Sequence, residues 1–145
     1  MRDIKEKVEV IVFRNLNKER EFLVLKRREE KGGAWQPVTG GVEKKEDVLD
    51  AAKRELEEET GIKEYIRIID KVHFFKYKNE DRVVLDEYVF GVEVSPNVKV
   101  KISGEHVDIK WCSFDEAVSL LKHEDNKMAF KKLNSLLHEY NKSHY

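Results

Sequence analysis

Between Gly40 and Ile62 the chain reads GGVEKKEDVLDAAKRELEEETGI, and no other segment restricts the fold as strongly. A helix turns about 100° per residue. With Glu55 set at zero, Glu59 falls at about +40° and Glu58 at about −60°. Val48, Leu49, Ala51, Ala52 and Leu56 share that half-cylinder. Asp47, Asp50, Lys53 and Glu57 occupy the outer half, with Arg54 at the border. The pattern predicts a helix from Glu46 or Asp47 to Thr60, stopped by Gly61. It also predicts that Glu55, Glu58 and Glu59 converge on the side a folding domain buries.

Alone, that arrangement is unfavourable. Glu55 and Glu59 repel at i,i+4. Glu57, Glu58 and Glu59 crowd the negative end of the helix dipole. Unpaired buried carboxylates cost several kcal/mol or take up protons. A divalent cation removes all three objections. Oxygen donors without thiol or imidazole suit Mg²⁺, with Mn²⁺ able to substitute. Because Mg²⁺ is held by a few carboxylates together with substrate phosphates, the implied ligand is a polyphosphate. The competing reading is a solvated, ion-paired helix face in a chain 39% charged. Arg54 and Glu58 are spaced for such a pair. The acids' position on the apolar side, between two glycines, argues for the cation.

The segment resembles the signature of the Nudix hydrolases, G-x5-E-x7-R-E-U-x-E-E-x-G-U, where U is a bulky aliphatic residue. Gly40, Glu46, Arg54, Glu55, Leu56, Glu58, Glu59, Gly61 and Ile62 fill its fixed positions. The resemblance implies an α/β (α+β) Nudix-like sandwich, a mixed β-sheet packed between helices. It implies Mg²⁺-dependent hydrolysis of a nucleoside diphosphate linked to another group. WQPVTGG, Trp35 to Gly41, and GEHVDIKW, Gly104 to Trp111, are similar to members that cleave dihydroneopterin triphosphate or dATP. Those members release pyrophosphate and a monophosphate. The Glu-His-then-Trp pattern also occurs in asymmetric dinucleoside tetraphosphate hydrolases, the alternative reading. Those usually carry Pro-Lys-Gly-His where this chain has Pro37-Val38-Thr39-Gly40-Gly41.

Size and composition set wider limits. The 145 residues suit a single domain, 1–145. A net charge of −1 supplies no global field for a nucleic-acid polymer. The single cysteine, Cys112, excludes an internal disulfide and a cysteine-based zinc site, and reads as a buried thiol. No apolar run is long enough to span a membrane. MRDIKEKVEV lacks the apolar stretch of a signal peptide, so the expectation is a cytoplasmic protein, monomer or homodimer.

Strands are expected at Val8 to Arg14 and Glu21 to Arg28, around a polar turn at Asn15 to Glu19. Gln36 to Val38 reads as a short strand. Tyr65 to Lys78 and Arg82 to Val94 read as a hairpin, and Val107 to Ser113 as another strand. Phe114 to Leu121 and Asn126 to Tyr140 read as helices. Ser113 and Glu116 have capping-box spacing.

Roles follow. Glu55 and Glu59, one turn apart, are the core metal ligands, and Glu58 is a further ligand or the base that takes the water proton. Gly40 and Gly41 allow close approach of backbone to metal or phosphate. The resemblance makes the Thr39 carbonyl a metal ligand and Glu105 a further catalytic or metal-binding acid on a loop. Arg54 and Glu46 are expected to support the site through ion pairs. Lys26, Arg27 and Trp35 are candidate contacts to a nucleotide or pterin polyphosphate. His106 reads as a surface or loop-packing side chain.

Overall fold

A computed structural model describes residues 4–143; the first three residues of the N-terminal segment read above lie outside that range. Strands β1 (Ile4–Leu16) and β2 (Glu19–Arg27) form a hairpin over Asn17 and Lys18, both at positive φ. That is the two-residue turn geometry whose twist matches antiparallel strands. The chain continues through a 3-10 turn at Glu29–Lys31, β3 (Trp35–Gln36) and β4 (Val38–Gly41) to α1 (Val48–Thr60). It then forms β5 (Arg67–Lys78), β6 (Val84–Val94), β7 (His106–Cys112), α2 (Phe114–Leu120) and α3 (Glu124–Ser143).

The sheet is mixed. β1 pairs in parallel with β6 from Ile4↔Val84 to Arg14↔Val94, and β6 pairs antiparallel with β5. On its other edge β1 pairs with β2 only from Phe13 to Leu16. Its earlier part, Lys7 to Val10, pairs with β4 instead. β2 meanwhile pairs with β3 at Leu25 and Lys26 and with β7 along its opposite edge. The two hairpin strands therefore part, and the segment Trp35–Gly41 fills the gap. Pro37, which has no N–H to give a ladder, stands where the chain passes from β2 to β1.

Both faces of this sheet are apolar. Val8, Val10, Leu23, Leu25, Phe90 and Val92 pack with Ala51, Ala52 and Leu56 of α1. Ile11, Phe13, Phe22, Val24 and Val89 pack with Ala117 of α2 and with Ala129, Phe130, Leu133 and Leu137 of α3. The period-2 alternation of β1 sends neighbouring residues to opposite cores. The result is the expected α+β sandwich of sheet between helices. Among the described residues, no helix is long and apolar enough to cross a membrane.

The expected elements are present with shifted ends. β1 begins at Ile4 because its ladder to β6 extends through Lys5, Glu6 and Lys7, which carry no apolar signal. The single short strand expected at Gln36 to Val38 is two strands, divided at Pro37. Ser113 caps α2, accepting the Glu116 N–H at 3.2 Å. Cys112 is buried, and burial pushes its thiol up to about 11.

Candidate active site

Packing of Ala51, Ala52 and Leu56 fixes the rotation of α1, and that rotation distributes its acids. Glu59 is buried, 3% exposed. Glu55 is largely covered, with 13% of its side chain exposed. Glu58 is 57% exposed, so the expected convergence of three acids holds for two. At about −60° from Glu55 it lies at the rim of the buried face. Arg54, one turn earlier, also pairs with it there at 3.3 Å.

Gly40 explains how Glu55 fits. A Cβ built on Gly40 would overlap the Glu55 carboxyl group. The glycine thus yields its side-chain volume to a carboxylate, whereas the expectation was room for metal or phosphate. Gly41 is exposed, with open space around its Cα, and its carbonyl accepts from Arg54 Nη2 at 2.8 Å. At the other end Gly61 stands at φ 74°, and its N–H donates to Glu57 O at 2.8 Å, closing the helix.

Arg54 ties loop and helix together. Its Nε and Nη2 donate to both oxygens of Glu46, each at 2.9 Å, and Nη1 donates to Glu55 Oε1 at 2.8 Å. Glu46 Oε1 also accepts the Glu43 N–H at 3.0 Å. These bonds, Arg54 first, hold the Glu46 carboxyl down to about 2. The bidentate guanidinium clamp joins the residues before α1 to the acids on it.

Glu59 has the opposite electrostatics. Burial, then contact with the Glu55 carboxyl and the charges of Glu55 and Glu105, push it up to about 9; a backbone hydrogen bond from Thr39 acts against this. Its Oε1 has no hydrogen-bond partner. The nearest cationic candidate, His106 Nε2, lies 3.7 Å away. Burial lowers His106, so the imidazole is neutral near pH 7 and supplies no compensating charge. His106 is buried at the start of β7, 3.4 Å from Gln36 Nε2, not the surface or loop side chain expected. Alternation in GEHVDIKW gave no such signal, because Asp108 and Lys110 share the parity of His106 and are exposed; the register shift opposite Lys26 and Arg27 separates His106 from them.

A buried oxygen without a donor, beside a second carboxylate, fits an oxygen-preferring divalent cation. Among the described residues, no three His, Cys, Asp or Glu side chains already form a metal-ligating group. Arg54 draws Glu55 and Glu58 aside. Two carboxylates in contact leave the remaining positions to water and phosphate oxygens, the way Mg²⁺ is ordinarily bound.

The other expected residues divide. Glu105 is exposed on the loop before β7, near enough for its charge to act on Glu59. Thr39 and Arg27 line a cleft of about 540 Å³ that also takes in Gln36, Lys7, Tyr77 and Glu87. The register shift between Lys26 and Arg27 breaks the simple alternation there. Lys26 lies 3.8 Å from Glu29 and is not among the cleft's walls. Neither is Trp35, which packs against the core beneath α2 and α3. Glu9 and Glu87, buried in adjacent strands, went unnoticed in the sequence.

Known proteins bear on this geometry. The chain is 32% identical over 126 residues to an octanoyltransferase of Myxococcus xanthus, covering 86% of this chain but 35% of that protein. It is 29% identical over 132 residues to an asymmetrical bis(5'-nucleosyl)-tetraphosphatase of Caenorhabditis elegans, covering 88% of this chain and 93% of that one. The C. elegans Ap4A hydrolase structure superposes with a TM-score of 0.82 at 22% identity, covering 93% and 98% of the two chains. The E. coli dihydroneopterin triphosphate pyrophosphohydrolase gives 0.76 at 25% identity, covering 88% and 92%. The NUDIX domain profile matches residues 5–133. With that match, an acid-bearing α1 and a sheet held between helices, the chain belongs to the Nudix family.

Proposed function

We propose that this protein hydrolyses a phosphoanhydride bond in a nucleoside or pterin triphosphate, releasing pyrophosphate and a monophosphate. The single observation that carries the reading is the Glu55–Glu59 contact, with a buried Glu59 oxygen lacking any donor. Glu55 and Glu59 hold the cation, assisted by the Thr39 carbonyl and Glu105. Mg²⁺ is the working ion and Mn²⁺ substitutes for it. When bound, the cation neutralises phosphate charge and lowers the pKa of water. Arg54 orients Glu55 and Glu58 through its fork of hydrogen bonds. An exposed carboxylate at the rim, Glu58 or Glu105, accepts the proton of the attacking water. Arg27, lining the cleft beside Thr39, contacts phosphate. The protein acts as one domain, in the cytoplasm, on small molecules.

A dinucleoside tetraphosphate substrate is the second reading. The near full-length match to the C. elegans tetraphosphatase favours it. A product-identified panel with Mg²⁺ separates the two: nucleoside triphosphates, dihydroneopterin triphosphate and diadenosine tetraphosphate. Pyrophosphate release supports the first reading, and ATP plus AMP from the dinucleotide supports the second. No hydrolysis of any member would overturn both.

A further inference from the structure

The cleft beside the hydrolytic acids has a floor that the chemistry above leaves unused. Lys7 and Glu9 on β1, Glu87 on β6 and Tyr77 on β5 point to the face covered by α3, as their registers require. Glu87 lines the cleft and is 3% exposed; Glu9 is fully buried. Tyr77 Oη donates to Glu87 Oε1 at 3.1 Å. Both Glu9 oxygens lack a donor, yet its carboxyl meets that of Glu87. A proton on Glu9 resolves the conflict, because a protonated carboxyl donates where a carboxylate cannot. Burial raises both acids, while the charge of Lys7 and hydrogen bonds from Glu9 and Tyr77 oppose the rise in Glu87. Arg27, Lys78, Glu80, Asp81, His123 and Asp125 complete the ionisable lining of the cleft.

In this arrangement Glu87 is the acceptor of the Tyr77 hydroxyl. Tyr77 fixes one oxygen and Glu9 supports the carboxylate from behind, while lone pairs remain for the cleft. Phe75 and Tyr77, with ring centroids 5.7 Å apart, add aromatic surface to the same wall. A cleft of about 540 Å³ has the size of a small-molecule site. Thr39 belongs both to this cleft and to the hydrogen bonding of Glu59, so the cleft and the hydrolytic acids meet at one residue.

We propose that Glu87, held by Tyr77 and backed by Glu9, recognises two adjacent N–H donors on a heterocycle. The 2-amino-4-oxo-pyrimidine edge shared by guanine and pterin rings supplies that pair. Adenine presents one donor beside an acceptor, which faces a carboxylate unfavourably, and hypoxanthine lacks the amino donor. The inference rests on the hydrolase reading and names its substrate class.

The test is metal-free calorimetric titration of the whole chain with GMP, IMP and AMP. It needs no turnover, so an inactive hydrolysis panel leaves it intact, and its failure leaves the panel's result standing. GMP is expected to bind about tenfold to a hundredfold more tightly than IMP, the scale of a hydrogen bond to a charged group. Glu87→Gln should bring the GMP-to-IMP ratio to within about twofold, and Tyr77→Phe should reduce it. The wild-type ratio needs no variant, so loss of folding in Glu87→Gln leaves the question decidable. Equal binding of GMP and IMP by the wild type, or a ratio that survives in a folded Glu87→Gln protein, would overturn the proposal.

Discussion

At Gly40 the absence of a side chain makes room for the carboxyl of Glu55, because any Cβ would occupy the same space. Gly40→Ala should therefore displace Glu55 while leaving the sheet intact. Its expected cost is about 1–3 kcal/mol, typical of overpacking, with turnover reduced about a hundredfold or more by the misplaced ligand. Paired melting and kinetic measurements check this; unchanged turnover would contradict it. Glu58→Gln and Glu105→Gln separate the two candidate bases, since the true acceptor should lose about a hundredfold or more in rate. That Glu55 and Glu59 share the apolar side of α1 was legible from helical angles and the apolar pattern together. Glu58 was expected on the buried side and is exposed, because a half-cylinder boundary does not resolve a rim position. Glu9 was missed for a different reason. Val8-Glu9-Val10-Ile11-Val12-Phe13 is apolar at both parities, which marks a strand buried on both faces, and such a strand buries its acid too.

Element boundaries follow a similar logic. α2 is capped by Ser113, whose hydroxyl accepts the Glu116 N–H. Ser113→Ala should cost about 1 kcal/mol in denaturant unfolding without altering turnover; no loss of stability would show that the cap contributes nothing. The Ser113 cap and the Gly61 stop could be read directly because both are local chemistry. The split pairing of β1 could not, since it depends on which strand lies across from each residue. The 3.6-residue periodicity announced α1, but only its packing against Val8, Val10 and Leu25 fixed the rotation that buries Glu59.

Over the whole molecule, the sheet buries acids on both faces, and this gives its stability a definite pH dependence. Glu59 is raised to about 9, above its unfolded value, so it favours folding below the unfolded pKa and that contribution disappears as pH rises through about 9. Glu9 and Glu87 are shifted the same way. His73 and His106 are lowered and act oppositely, but their effect is complete above the ordinary histidine range. Between pH 7 and about 9 the metal-free protein should therefore lose up to about 1.4 kcal/mol per pH unit through Glu59. Mg²⁺ should reduce that slope and raise the melting temperature by binding the ionised pair. A flat profile in chelator would contradict the burial argument. The most direct test of the central claim is the Mg²⁺ dependence of substrate hydrolysis in wild type and Glu59→Gln. The account predicts saturable activation by Mg²⁺ in the wild type and a rate about a thousandfold or more lower in a folded Glu59→Gln protein. Equal rates in the two, or a wild-type rate indifferent to chelation, would contradict it.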